Sequence, residues 1–332
     1  MAEQIVVADI GGTNARFALA TLARGARPTI SNVTRMPAAD YPGLEEAWRD
    51  FAATLGEGRP RRAAIAIAAP MRGAVLTFTN SDWRIDPDGI ERQLGLDEVL
   101  LLNDFDAAAH AVDVLEPDEL AHIGGPDRPL RKTGLVRLIG PGTGLGVAML
   151  AYPPGGGPPL AGATEGGHVG FAPQDEVEAA IAERVHARHG RVSTERLVSG
   201  PGLVDIQEGL AALEGISPVH VDDKALWAAA IAGEDRLAAA ALDRFCLIFG
   251  AVAGDIALVQ GAGAVVLGGG ISPRIRDHLR AGGFVRRFTD KGRYRDYMAA
   301  IPIRMMTHSE PGLLGAAVAM ARRDDRRRSG SA

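Results

Sequence analysis

With 332 residues, 46% of them apolar, and a formal net charge of −5, the chain can bury large cores and has no cationic surplus to draw it to nucleic acid or an anionic membrane. The length exceeds the size at which one core usually keeps growing, so two domains around a cleft are expected. A single cysteine, Cys246, excludes an intramolecular disulfide and a multi-cysteine zinc site, which fits a reducing cytoplasm.

In chain order, the N-terminal MAEQIVVADIGG enters a strand-like run with neither a basic leader nor a small-residue cleavage site, which argues against secretion. The apolar runs IVVADI and RFALA flank the turn that carries Gly11, Gly12 and Thr13, with Asp9 at the end of the first run. AAIAIAAP and LTFTN are further strands, and EVLLLND stops at Asn103-Asp104 before the helix-like DFDAAAHAV. Two readings of that stop are open. Asn and Asp cap helices by accepting from the first orphan amides, and the stretch alone favours that reading. Alternatively, a strand end presents an amide and a carboxylate into a cleft, where they can hold a hydroxyl and remove its proton.

The runs VRLIGP and VAMLAY enclose Gly142-Thr143-Gly144, and this second hairpin echoes the first: apolar strand, glycine-rich turn with threonine, apolar strand. Turn glycines with amides facing a cleft suit phosphate, and two matched copies imply two related lobes. YPPGGGPPL is a loop by composition. A histidine such as His168 in ATEGGHVGFAP is by itself more often structural, and Glu195 in STERLVSGPGL reads as one end of a capping box behind Ser193 or Thr194. Between Phe245 and Ile271 the only charge is Asp255, a length that would suit a bilayer. The glycines and the division at Gln260-Gly261 make it a buried helix followed by a buried strand. AVVLGG then leads through Gly268, Gly269 and Gly270 into Ser272 and Pro273, a cap-and-proline helix start; its glycines either receive a nucleotide or let the helix pack closely on the sheet. IPIRMM is the last strand, and ARRDDRRRSGSA reads as a fraying, solvated end.

The alternation of strands and helices predicts an α/β architecture. The P-loop pattern GxxxxGK[ST] and the dinucleotide pattern GxGxxG are absent, which argues against a P-loop or a nicotinamide enzyme, and without HExxH or an EF-hand loop a protein-bound metal cage has no support. What remains is an acid at the end of the first strand, Asp9, which can orient the water shell of Mg²⁺ while glycine amides and threonine hydroxyls hold phosphates.

DIGGTNARFAL, LLNDFDAAAHAV, GPGTGLGVA, ATEGGHVGFAP, ERLVSGPGL and SEPGLLGAA together resemble the bacterial glucokinase family, within the sugar kinase, heat-shock and actin-like ATPase superfamily, and run in family order from Asp9 to Gly315. The resemblance implies a two-lobed actin-like ATPase (ribonuclease H-like) fold with a central cleft. Residues 1–114 plus 308–332 would form a small α/β domain and residues 115–307 a large one. It implies a cytoplasmic, homodimeric enzyme of glycolysis that phosphorylates D-glucose at the 6-hydroxyl with ATP and Mg²⁺. Asp104 would be the general base, and Asn103, Asp104, Glu165, His168 and Glu195 would bind the sugar, with Asn80 completing the pocket. Asp9, Gly11, Gly12, Thr13, Asn14, Gly142, Thr143, Gly144, Gly268, Gly269 and Gly270 would bind the nucleotide, Asp9 reaching Mg²⁺ through water. A carboxylate accepts hydroxyl protons and an imidazole accepts or donates, which suits a neutral polyol. Two alternatives stand beside this: another hexose kinase of the superfamily, whose ROK group uses a cysteine-rich zinc motif that Cys246 alone cannot build, and a non-catalytic actin-like ATPase or sugar sensor.

Overall fold

The first strand, IVVADI, is apolar without a polar alternation because both faces of its sheet are covered. The computed structural model describes residues 2–71, 73–78, 81–218 and 222–329. In chain order it runs β1 (Glu3–Ile10), β2 (Asn14–Leu22), β3 (Thr29–Pro37), α1 (Leu44–Leu55), β4 (Arg62–Ile67), β5 (Leu76–Phe78), β6 (Ser81–Ile85), α2 (Ile90–Leu94), β7 (Glu98–Asn103) and α3 (Asp104–Val112). There follow β8 (Leu120–Gly124), β9 (Gly134–Pro141), β10 (Leu145–Tyr152), β11 (Leu160–Thr164), α4 (Glu176–His189), α5 (Thr194–Leu197), α6 (Gly202–Glu214), α7 (Asp223–Ala232) and α8 (Arg236–Val259). The chain ends with β12 (Ala264–Leu267), α9 (Arg276–Ala281), α10 (Phe284–Thr289), α11 (Arg295–Ala299), β13 (Ile303–Met306) and α12 (Pro311–Ser329). It divides into two compact units, one of Met1–Leu115, Pro158–Ala163 and His308–Ala332, the other of Glu116–Gly157 and Thr164–Thr307.

In the first unit the sheet order is β3-β2-β1-β4-β7, with β1 antiparallel to β2 and parallel to β4, and β4 parallel to β7. Val6, Ala8 and Ile10 of β1 join Phe17, Trp48 and Phe51 in one core, where the Phe17 and Phe51 rings stack with centroids 5.2 Å apart. Ile5 and Val7 face the other way and are covered by Leu313, Ala316, Ala317 and Met320 of α12. That helix also packs tightly on α3: a Cβ on Gly315 would overlap the Ala107 carbonyl oxygen, so only glycine permits this approach. Two turns further along, buried Arg322 donates to His110 Nδ1 at 2.7 Å and to the Asp113 carboxylate. Burial, aided by Arg322, lowers the His110 pKa to about 3, so the imidazole stays neutral and accepts through Nδ1.

The second unit repeats the plan of the first. β9 is antiparallel to β10 and parallel to β12, and β12 is parallel to β13, the arrangement of β1, β2, β4 and β7. Its core is built around α8, whose Phe249 meets Phe284 of α10, with Phe245 and Phe288 extending the row of rings at either end. The long apolar segment is thus the second half of the core helix α8 followed by strand β12, and most of that helix is buried inside the protein. Asp175 caps α4 by accepting from the Glu178 amide at 2.9 Å, and the fully buried Glu178 carboxylate is met by Arg287 at 2.9 Å and Arg244 at 3.2 Å. A buried and a half-buried cation satisfy an acid that would otherwise be costly there.

Two expectations are corrected, and three strands went unpredicted. The C-terminal stretch from Ala321 is not a frayed end: α12 continues to Ser329, Arg322 is buried, and Asp324 binds Arg62 at 2.6 Å, so partners that lie far off in sequence hold it. Ser272 does not cap a helix; it lies inside a short 3₁₀ turn that starts after Ile271, and its hydroxyl is buried without a partner among the described residues. β3, β8 and β11 carry weak apolar patterns, and β3 is an edge strand with a mostly exposed face, so its TISNVTRMP offers little periodicity to read.

Gly315→Ala is expected to lower stability by about 1–3 kcal/mol, because overpacking forces α12 off α3. Urea unfolding of the variant against the parent chain measures the loss.

Candidate active site

Asp9 sits one residue before the end of β1, and Asn103 ends β7, with β4 between them in register: Asp9 opposite Ala66, and Asn103 opposite Ile67. Both acids of the first unit therefore stand at the carboxyl ends of parallel strands, where open α/β sheets present ligand-binding groups. The β1–β2 turn holds Gly11, Gly12 and Thr13 and is closed by a 2.9 Å bond from the Gly11 amide to the Asn14 carbonyl; Ala38 N–H ties the Thr13 carbonyl at 2.9 Å.

The stop at Asn103-Asp104 is a helix cap that leaves a neighbouring carboxylate free to titrate. Asn103 caps α3, its side-chain oxygen accepting from Phe105 N–H at 2.9 Å and Asp106 N–H at 3.3 Å, while its amide donates to the Ala69 carbonyl at 3.3 Å. With the oxygen committed to the cap, Asn103 can face a ligand only as a donor. Asp104 is the first residue of α3 and accepts from Phe105 N–H at 2.9 Å. Its pKa is raised to about 7, by burial first and by the negative charge of Asp9 second, with the amide bond to Phe105 opposing.

Asp9 belongs to a row of alternating charges. Arg16 Nη1 donates to Asp9 Oδ2 at 3.0 Å, Arg16 Nε lies 3.5 Å from Glu310 Oε2, and Arg35 donates to the buried Glu310 carboxylate. Burial raises the Asp9 pKa and Glu310 adds to the rise, while Arg16 opposes both. Gly312 of α12 leaves room for this carboxylate, since a Cβ there would lie 2.8 Å from Asp9 Cγ. Among the described residues no group of three or more His, Cys, Asp or Glu could hold a metal ion. A lone half-buried carboxylate with one oxygen on an arginine suits the water shell of Mg²⁺ better than direct ligation.

In the second unit three motif segments meet at the start of β10. Gly142, Thr143 and Gly144 form the β9–β10 turn, closed by Gly142 N–H to the Gly144 carbonyl at 2.8 Å and held from outside by Gly200 N–H on the Gly142 carbonyl at 2.8 Å. Glu195 Oε2 accepts the Leu145 N–H at 2.9 Å, and buried Thr194 Oγ1 donates to the Gly167 carbonyl at 2.7 Å. His168 Nε2 then lies 3.8 Å from Glu165 Oε2 and 3.9 Å from Glu195 Oε1. Two exposed side chains and a half-buried one thus cluster, and the alternative of a capping box at Ser193 does not form: Ser193 is the N-cap without a side-chain bond, and Glu195 turns to Leu145 instead.

Gly268, Gly269 and Gly270 follow β12 directly. A Cβ on Gly269, whose φ is +75°, would run into the Pro141 carbonyl, while Gly270 has open space around it. Close packing of two strand ends therefore explains Gly269. Asn80 lies outside the described residues.

A family model described as Glucokinase matches residues 6–323. The chain belongs to the glucokinase family. Among curated relatives, the glucokinase of Zymomonas mobilis is 48% identical over 96% of this chain and 98% of its own length. The crystal structure of a glucokinase from an Antarctic psychrotroph superposes with a TM-score of 0.83 at 33% identity, covering 96% of this chain and 99% of that one. A ROK family glucokinase from Streptomyces griseus, solved in complex with glucose and AMPPNP, shares the fold alone, with a TM-score of 0.63 at 22% identity over 97% and 100% of the two chains. These matches place the chain in the actin-like α/β fold of the glucokinases.

Within this glucokinase-family chain, sequence reasoning passed over Arg16, Arg35 and Glu310. Arg16 and Glu310 stood inside quoted motifs, and an arginine inside the apolar run RFALA was a signal, because a charge there needs a partner. Arg35 gave none, since its partner is 275 residues away.

The raised pKa of Asp104 sets a stability prediction. Relative to its ordinary value of 3.8, the folded protein holds the proton up to about pH 7, so stability falls as pH rises between those values. Asp104→Asn keeps the acceptor for Phe105 N–H and removes the charge. Its melting temperature, measured in EDTA, should exceed that of the parent at pH 8 and match it near pH 4.

Proposed function

We propose that this chain phosphorylates D-glucose to glucose 6-phosphate with ATP and that Asp104 is its general base. Family membership supports the activity and the 6-hydroxyl acceptor. The observation that carries the mechanism is a carboxylate at a strand's carboxyl end whose pKa is raised to about 7, the range in which a general base works best near neutral pH. The Asp104 carboxylate accepts the hydroxyl proton as the oxygen attacks phosphorus, and base assistance of this kind adds about 10² to 10⁴ in rate. The cap keeps the Asn103 oxygen from competing, so its amide can donate to a sugar hydroxyl. Glu165, His168 and Glu195 are assigned to further hydroxyls: acceptors and an imidazole that meet every hydroxyl reject sugars lacking one.

The amides and hydroxyl of Gly11, Gly12, Thr13 and Asn14, and of the turn at residues 142–144, are assigned to the phosphates, with Gly268, Gly269 and Gly270 beside the adenosine. Support for ATP comes from the fold relative solved with AMPPNP. Mg²⁺, when bound, neutralises charge on the phosphates; Asp9, steadied by Arg16, would hold its water shell. We further place the enzyme in the cytoplasm as a homodimer serving glycolysis. The one cysteine, a free buried thiol whose pKa is raised to about 12, suits a reducing compartment, and the dimer and the pathway rest on the family.

A coupled assay of the purified chain with ATP across several hexoses tests this reading; glucose should be the best acceptor, and absence of glucose-dependent ADP formation overturns it. Asp104→Asn should lower kcat by about 10² or more while glucose binding and fold persist. Near-normal turnover would remove Asp104 as base. In the parent, kcat/KM should climb with pH through about 7 as this acid ionises, and a flat profile would contradict the assignment. Glu165→Gln should raise KM for glucose well above any change for ATP, as steady-state kinetics in both substrates will show.

A further inference from the structure

The two oxygens of Glu195 face two different motifs. Oε2 accepts the Leu145 N–H at 2.9 Å, and Oε1 lies toward His168 Nε2 at 3.9 Å. Leu145 N and Gly144 O belong to one peptide group, and that carbonyl receives the Gly142 N–H at 2.8 Å which closes the β9–β10 turn. The carboxylate therefore holds one end of the peptide whose other end shapes the turn. Gly144 is cut to fit it: a Cβ there would overlap Oε2 and lie 3.0 Å from Cδ, with no left-handed backbone demanding glycine. The base of Glu195 is itself fixed, since the neighbouring Thr194 donates to the Gly167 carbonyl at 2.7 Å and is buried.

We propose that Glu195 is a positioning residue for the nucleotide's phosphate turn as well as a sugar ligand, so that one carboxylate couples occupancy by sugar to the shape of the turn. The proposal rests on the reading of residues 142–144 as a phosphate turn and of Glu165, His168 and Glu195 as sugar ligands. A hydroxyl taken by Oε1 leaves Oε2 on the Leu145 amide and restricts the carboxylate's rotation. The Gly144–Leu145 peptide is then fixed before nucleotide arrives, and sugar should tighten nucleotide binding by removing an ordering cost.

The probes are AMPPNP and glucose, titrated separately and together against the full chain and three variants: Glu195→Ala, Glu195→Gln and Gly144→Ala. Gly144→Ala displaces the far end of a flexible side chain rather than backbone, so it breaks the contact without attacking the core. Without sugar, Glu195→Ala and Gly144→Ala should weaken AMPPNP by about tenfold, and Glu195→Gln by less than about threefold, because its amide oxygen still accepts from Leu145. Glucose affinity should fall in all three, and the tightening of AMPPNP by saturating glucose should vanish in Gly144→Ala. Unchanged AMPPNP affinity in both Glu195→Ala and Gly144→Ala, with far-UV circular dichroism and melting as in the parent, overturns the coupling. An equal loss in Glu195→Gln overturns it too, since charge rather than the bond to Leu145 would then be acting. If glucose affinity is unchanged in all three while AMPPNP weakens, the sugar assignment of Glu195 falls separately, and with it the coupling.

Discussion

Two carboxylates in the first unit repel one another across the ends of three parallel strands, and much of that unit is arranged around keeping them there. Burial makes both Asp9 and Asp104 harder to ionise, and the charge of Asp9 adds to the rise at Asp104 as that of Glu310 does at Asp9. Left alone, such a pair would be relieved by protonation or by local movement. Arg16 offsets Asp9, Glu310 and Arg35 extend the alternation of sign, and the Asn103 cap fixes the start of the helix that carries Asp104. Strain of this kind is the usual companion of function: a group tuned to give or take a proton near neutrality is by construction less comfortable than a solvated one.

The second unit solves a different problem with the same strand plan. Its polar cluster is more open to water, and its order comes from backbone bonds: Gly200 on Gly142, Thr194 on Gly167, Glu195 on Leu145. The glycines of these motifs are required by other atoms as much as by turns. Gly144 accommodates a carboxylate, Gly269 a carbonyl, and Gly315 in the first unit a helix.

Much of the fold was legible, because buried strands such as IVVADI and VRLIGP and the helix around Phe245 announce themselves by unbroken apolar runs. The echo of two glycine-turn hairpins also showed in the letters, and the matching strand order follows it. What stayed hidden depends on distant partners. β3 lies at an edge with little apolar pattern, and the terminal arginines look solvated until His110, Asp113 and Glu98 are seen to meet them. At the site, Glu165, His168 and Glu195 come together from two motifs, whereas Arg16 and Glu310 were visible only as motif letters. The choice between cap and catalytic pair at Asn103-Asp104 could not be made from residues alone, since one asparagine does the capping and its neighbour is left to titrate.

The helix α12 closes the first unit although 195 residues separate its start from Leu115, the last residue of the unit's N-terminal segment, as 311 − 115 − 1 gives. As the chain leaves the ribosome, Ile5 and Val7 therefore wait, with their side of the sheet bare, until the whole second unit has been synthesised. Completion of the first unit is bound to synthesis of the second, and a product stalled before α12 would expose an oily surface to chaperones and proteases rather than persist as a half-built domain.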